Sequence, residues 1–333
     1  MTASRLETYW YSDRPISWLL VPVSWLYRLV VVLRRLLYGL RILRITRLPV
    51  PVIVVGNITV GGTGKTPLVV ALANLLKSKG YRPGLVSRGY GGSAAKWPQQ
   101  VRADSDPAVV GDEAVLLARR TGCPMAVGPK RSAAALALLK YNHCDVIVSD
   151  DGLQHYALGR DIEIVVIDGV RRFGNGHLLP AGPLRESKRR IRKVDLVVAN
   201  GGGTRGEFTM NVRPGLPRRI SDDSEAPDWE AFKQREVHAV AGIGHPERFY
   251  ASLKKVGVRP IEHSYPDHHP FKREDIEYGD RAAVLMTEKD AVKCAWFARS
   301  HHWYVPIAAE LDERFEVRFL RLLKACVKPS TSP

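Results

Sequence analysis

The 333-residue chain is 45% hydrophobic and 25% charged, which suits about two globular domains with a sizeable core and excludes a low-complexity chain. Its net charge of +16 favours an anionic partner, whether nucleic acid, membrane surface or phosphorylated substrate. The four cysteines (Cys123, Cys144, Cys294 and Cys326) are too scattered for a CxxC metal or redox motif and read as small apolar residues in a reducing compartment.

The first 50 residues carry eight arginines, from Arg5 to Arg47, against Glu7 and Asp13, and surround the most apolar stretch of the chain, Ile16 to Leu33. Pro22 and Arg28 interrupt that stretch and no small-residue cleavage site follows, so neither a transmembrane helix nor a signal peptide fits. At 100° per residue, Leu29, Val32, Leu33, Leu36 and Leu40 share one face, and Arg28, Arg34, Arg35 and Arg41 lie toward the other. With Trp18, Trp25 and Tyr27 at the boundary, residues 1–48 read as an amphipathic segment lying on an anionic bilayer. A helix packed on its own protein, with arginines as its solvated face, is the competing reading.

A β-type run, Pro51 to Val55, then leads into Gly61-Gly62-Thr63-Gly64-Lys65-Thr66 and a helix-type stretch from Leu68 to Lys79. A glycine turn between strand and helix lets backbone N–H groups wrap a polyphosphate, with Lys65 reaching its outer phosphates and the Thr66 hydroxyl serving Mg²⁺. The strict motif wants glycine at 59, where this chain has Thr59. Strands are expected near 51–56, 83–87, 124–128, 145–149, 162–167 and 194–199, and helices near 65–79, 111–121 and 130–141. That alternation is an α/β, P-loop NTPase-like doubly wound parallel sheet over residues 49–205.

Between these elements lie Ser87-Arg88-Gly89-Tyr90-Gly91-Gly92 and Gly111-Asp112-Glu113, the latter opening a helix. Acidic residues in a first turn suit the helix dipole, and a carboxylate there also suits a base for a sugar hydroxyl. Val146-Ile147-Val148 ends in Ser149-Asp150-Asp151-Gly152, the form of a strand whose terminal carboxylates meet Mg²⁺ beside a phosphate loop. Arg171 to Leu179 mixes cations with apolar residues, which suits either a phosphorylated sugar with tails or an ordinary glycine-rich loop.

Glycines, prolines and the acidic cluster Asp222-Asp223-Ser224-Glu225 mark a linker over 206–235. A second, smaller α/β domain is expected over 236–328, with strands at 237–243, 258–263, 282–287 and 303–308 and helices at 246–256, 271–278, 290–298 and 312–326. Tyr265-Pro266-Asp267-His268-His269-Pro270 places two histidines on a loop of this lobe, where one can pair with a carboxylate across a cleft. Thr287-Glu288-Lys289-Asp290 follows a strand, and helix capping explains Thr287 as well as nucleotide contact does. The tail, 329–333, reads as frayed.

Taken together, Val55 to Pro67, Ser87 to Gly91, Gly111 to Glu113, Asp150 to His155, Leu178 to Glu186 and Asp267 to His269 resemble the tetraacyldisaccharide 4′-kinase family of lipid A biosynthesis. The resemblance implies transfer of the ATP γ-phosphate to the 4′-hydroxyl of a tetraacylated glucosamine disaccharide 1-phosphate, on the cytoplasmic face of a bacterial inner membrane. It further implies that Asp112 and His268 act as base and orienting partner, and that Lys65, Thr66, Asp150 and Asp151 serve ATP·Mg²⁺. Glu113 and Glu186 join the active site, and Arg88, Asn175 and Arg185 are candidate substrate contacts. Ser187 departs from the family, which usually has proline there. The alternative is a membrane-attached regulatory ATPase, whose phosphate loop carries a lysine where this chain has Val60; a nucleic-acid partner is not expected, for want of any dedicated motif.

Overall fold

A computed structural model describes residues 9–11, 17–233, 235–280 and 282–326. The first charged residues (Arg5, Glu7, Asp13, Arg14), Ile16, the Trp18 side chain and the 329–333 tail lie outside the described residues.

The apolar N-terminal stretch forms helix α1 (Ser17–Gly39). No helix among the described residues is long and apolar enough to cross a membrane. One stripe of α1 packs on the protein: Ser24 Oγ donates to Leu178 O at 2.9 Å, Tyr27 OH donates to Arg185 O at 3.1 Å, and Arg35 lies 3.6 Å from Glu186. The opposite stripe, including Trp25, Leu29, Leu33, Leu36 and Leu40, is exposed. The competing reading needs correction: α1 does pack on the protein, but through Ser24, Tyr27 and Arg35, and the leucine stripe, not the arginines alone, is left solvent-facing.

The strands β1 (Val52–Gly56), β2 (Pro83–Ser87), β3 (Gln99–Val101), β4 (Met125–Val127), β5 (Val146–Ser149), β6 (Ile162–Asp168), β7 (Leu196–Asn200) and β8 (Phe208–Pro214) build the large sheet. A ninth strand, Ile307–Leu311, joins it from the far end of the chain, giving the order last strand, β8, β7, β6, β1, β5, β2, β4, β3. The pairings from β8 to β4 are parallel and the two edge strands are antiparallel. The central strands β1, β2 and β5 are buried along their whole length, as their unbroken apolar runs require when helices cover both faces. Chain order reverses between β1 and β5, so the phosphate loop and Asp150 emerge side by side at the strand ends, where doubly wound sheets bind ligands.

Helices α2 (Lys65–Ser78), α3 (Pro107–Val110), α4 (Asp112–Thr121) and α5 (Arg131–Tyr141) flank this sheet. The small lobe holds β9 (Arg218–Arg219), α6 (Glu230–Lys233), β10 (Val237–Ala241), α7 (Pro246–Lys255), β11 (Pro260–Ser264), β12 (Val284–Thr287), α8 (Glu288–Cys294) and β13 (His302–Val305). Its sheet runs β11, β10, β12, β13, β9.

Three expectations need correction. The strand read at 303–308 is two strands: β13 stays in the small sheet, while β14 (Ile307–Leu311) pairs with β8 in the large one. The last helix, α9 (Glu313–Cys326), follows it and buries Phe315, Phe319 and Leu323 in the large-sheet core. The linker read over 206–235 contains β8, β9 and α6, with Trp229 and Phe232 in small-lobe packing. The helix read over 271–278 is a single 3-10 turn, Arg273–Asp275, because the Asp275 carboxylate accepts from the Lys272 N–H at 2.8 Å and closes the turn on itself.

Candidate active site

The phosphate loop begins its turn at Gly61 (φ 100°), and Gly64 (φ 92°) caps α2. Its φ disfavours any L side chain at Gly64, and a β-carbon there would also press on Asn200 Nδ2 at 2.6 Å. Thr59 stands where the strict motif has glycine because the chain has not yet turned there: it forms a β-bridge with Leu184, flanked by hydrogen bonds Val60 N to Pro183 O (2.8 Å) and Arg185 N to Ile58 O (2.7 Å). The segment Leu178 to Glu186 is thereby fixed to the phosphate loop on one side and to α1 on the other.

At the tip of β5 the two aspartates occupy different environments. Asp151 (φ 45°) pairs with Lys65 Nζ at 3.5 Å and Arg185 Nη1 at 3.0 Å; burial raises its pKa, but those cations hold it down at about 2. Asp150 is buried, and desolvation, with Glu113 and Asp151 adding like charge, raises its pKa to about 7. Its Oδ1 has no hydrogen-bond partner, nor has the buried Thr63 Oγ1. A buried carboxylate oxygen without a partner, beside a hydroxyl-bearing loop, fits a hard divalent cation.

Asp112 starts α4 and is 5% exposed. Gly111 before it has φ 95°, and a β-carbon there would meet Tyr90 O at 2.5 Å, so the Ser87–Gly92 loop holds the start of α4 in place. Across the lobes, His268 Nδ1 lies 2.9 Å from Asp112 Oδ2, while His269 pairs with Asp275 within its own lobe at 3.1 Å. Burial raises the Asp112 pKa, but the His268 hydrogen bond and the nearby Lys289 and Lys293 outweigh it and hold the carboxyl below its usual range. The same hydrogen bond raises the pKa of His268, against opposition from burial and Lys289. His268 has φ 62°, so this residue and Asp151 both hold a backbone conformation that L-residues seldom adopt, as functional sites often require.

The remaining candidates separate into open and braced groups. Arg88 is exposed at the end of β2. Arg185 belongs to the Asp151 pair. Glu186 is 1% exposed, and its oxygens accept from Gln154 (2.9 Å) and Tyr156 (2.5 Å), with Arg35 and Arg190 close by, so it ties α1 to the site from behind. Asn175 braces its own loop through Ala181 O and His177 N. In that loop Arg171 and Arg172 are taken by Asp168 and Glu207, which favours the ordinary-loop reading for those cations. Ser187 caps a 3-10 turn, Lys188–Lys193, so the chain follows an orderly path without the proline.

Two contributors escaped the sequence reading. Arg131, 7% exposed at the start of α5, donates to Asp151 O at 2.8 Å and has no distinguishing sequence context. Lys289 stands in the Thr-Glu-Lys-Asp run, where the cap is real: Thr287 Oγ1 accepts from Asp290 N at 3.2 Å, and Lys289 is free to point at His268.

Comparison with known proteins gives the family. The family model described as tetraacyldisaccharide-1-P 4′-kinase matches residues 16–324. The chain belongs to that family. A tetraacyldisaccharide 4′-kinase of Nitrosococcus oceani is 55% identical over 98% of this chain and 96% of its own, and one of Alkalilimnicola ehrlichii is 52% identical over 96% and 98%. A crystal structure of LpxK from Aquifex aeolicus in complex with ATP has a TM-score of 0.79 at 30% identity, covering 92% of this chain and 99% of that one. The likeness to these 4′-kinases thus spans both lobes and does not stop at the phosphate loop.

Proposed function

We infer that this chain phosphorylates the 4′-hydroxyl of a tetraacylated disaccharide 1-phosphate at a membrane surface, with ATP as the donor. Family membership carries the donor and acceptor, and the observation that carries the mechanism is the 2.9 Å contact between Asp112 and His268, which joins the lobes beside the phosphate loop. A regulatory ATPase of the alternative kind has no need of such a pair.

In this reading the backbone of Gly61 to Gly64 cradles the phosphates and Lys65 neutralises the outer ones. Mg²⁺ would be held by Asp150 and Thr66, with Asp151 beside them, and would supply charge neutralisation to the phosphates. Asp151, already engaged by Lys65 and Arg185, keeps those two cations aligned, so Asp150 is the better direct ligand. Asp112 orients the sugar hydroxyl and takes its proton as the oxygen attacks the γ-phosphorus; His268 donates Nδ1–H to the carboxylate and spreads the charge. Glu113, next to Asp112, anchors the second-lobe lysine; Arg88 faces solvent, free for an acceptor phosphate or sugar.

The acceptor's acyl chains explain the helix. Withdrawing them from a bilayer costs about 0.8 kcal/mol per methylene, so the enzyme must meet its substrate at the surface. Between α1 and the 188–193 turn runs a groove of about 290 Å³, lined by Val31, Val32 and Leu178 together with Arg28, Arg189 and Lys193. A lining that mixes apolar and cationic side chains suits an acyl chain ending in a phosphorylated sugar or headgroup. An anionic cytoplasmic leaflet is the surface this charge pattern favours. Mass spectrometry of the tetraacyl disaccharide 1-phosphate incubated with protein and Mg·ATP should show one added phosphate; ATP hydrolysis without that product would return the assignment to a regulatory ATPase.

A further inference from the structure

Lys289, at the second position of α8, is 16% exposed and reaches into the contact between the lobes. Its ammonium lies 3.1 Å from Asp267 Oδ1, 3.4 Å from Glu113 Oε1 and 3.3 Å from His268 Nε2. An ammonium has three donors and no acceptor, and the three partners use all of them. A donor at Nε2 is satisfied only if that nitrogen presents its lone pair. The ring proton then sits on Nδ1, the atom 2.9 Å from Asp112 Oδ2. We propose that Lys289 is a positioning residue that fixes His268 as the Nδ1–H tautomer, so that the imidazole always presents a donor to the Asp112 carboxylate. This rests on reading Asp112 and His268 as the base and its partner.

The surroundings of the ring agree. From the large lobe it faces Asp112 and, 5.1 Å away, the Tyr90 ring; from its own lobe it faces Asp267, 3.8 Å from Nε2, and Lys289, while Lys293 lies 3.9 Å from Asp112. The carboxylates of Asp112 and Asp267 would draw a second proton onto the imidazole, and Lys289 is the cation directly opposing it at Nε2. A doubly protonated ring would neutralise the charge on Asp112 and weaken it as a base. Because Lys289 also holds Glu113, the residue after Asp112, the tautomer is set only when the lobes are together.

The test uses the full-length protein and its lipid acceptor, with Lys289→Met and Lys289→Arg compared with wild type. Nitrogen NMR of labelled histidine in wild type should show Nδ1 protonated and Nε2 bare near neutral pH. In Lys289→Met the ring should take up its second proton at higher pH, the acidic limb of kcat should move the same way, and kcat should fall about tenfold near neutrality and recover in alkaline buffer. The KM for ATP should hold, and Lys289→Arg should restore the limb. A uniform loss at every pH with an unmoved limb, or an Nε2–H signal in wild type, overturns the proposal. If His268→Ala itself leaves the limb in place, the base-and-partner reading fails first.

Discussion

At the scale of single residues, the electrostatics separate groups of the same type into different roles. Asp150 and Asp151 are neighbours, yet one is driven toward neutrality with an unpartnered oxygen and the other is held ionised by Lys65 and Arg185. Asp150→Ala should therefore depress activity severely and show partial rescue by raised Mg²⁺ or Mn²⁺, whereas Asp151→Ala should lower activity through misplaced cations, with little rescue; equal metal dependence of the two would remove the distinction. Asp112→Ala should lower kcat by a hundredfold or more, a scale of about 10²–10⁴, with little change in the KM for ATP. His268→Ala should do likewise, and the double variant should be scarcely worse than the worse single one, since groups acting as a unit are non-additive. Multiplicative losses would mean that they work separately. Asp112 holds the His268 pKa above its ordinary 6.5, so kcat should fall as pH drops through that raised value, and the limb should vanish in His268→Ala.

At the scale of elements, what was legible in the sequence was what local pattern controls. β1 and α2 carry unbroken apolar runs around the glycine turn, and both lie within a residue or two of where they were read. Local pattern does not separate His268 from His269, because that depends on which imidazole faces another lobe, and only the family resemblance pointed to His268; Arg131 was invisible because a buried arginine beside a carbonyl leaves no pattern. β8 was missed inside a stretch read as a linker for its glycines and prolines; it forms because β7 and β14 offer hydrogen bonds on both sides. Helix α1 was read correctly in its faces and tests cleanly as an element. Leu33 and Leu36 are 51% and 53% exposed, so Leu33→Glu with Leu36→Glu should leave the fold and melting temperature nearly unchanged while releasing the protein from anionic vesicles. Wild-type binding should weaken with salt and be stronger on anionic than on neutral lipid. Extraction by detergent alone, insensitive to salt, would contradict a surface-lying helix.

At the scale of the molecule, the return of β14 and α9 to the large sheet changes what the two lobes are. The small lobe is an insertion between neighbouring antiparallel strands, β8 and β14, and the chain enters and leaves it side by side, with Gly215 N donating to Pro306 O at 2.8 Å. Two crossings at one place make a hinge that limits the lobes to a restricted swing. Arg120 to Glu288 at 2.8 Å stands beside this crossing, Arg120 also donating to Ile307 O, while Arg248 to Asp168 at 2.6 Å and the Asp112–His268 pair join the lobes elsewhere. Such charged contacts are individually modest where they are exposed. This topology makes opposite predictions for two truncations. Ending the chain near residue 235, where the sequence suggested a boundary, removes Phe315, Phe319 and Leu323 from the large core, each fully buried. Losing buried aromatic side chains costs about 3–5 kcal/mol apiece, comparable to a domain's whole stability, so that fragment should not fold. Replacing residues 216–305 by a short glycine turn keeps β14 and α9, joins chain ends already within hydrogen-bond distance, and should give a cooperative melt and retained ATP·Mg²⁺ binding with no transfer to lipid, because His268 and Lys289 are gone. Calorimetry and nucleotide titration of the two proteins decide the matter: a folded 1–235 fragment, or a glycine-turn variant that is molten and binds no nucleotide, would show that the large lobe is not built as this sheet order implies.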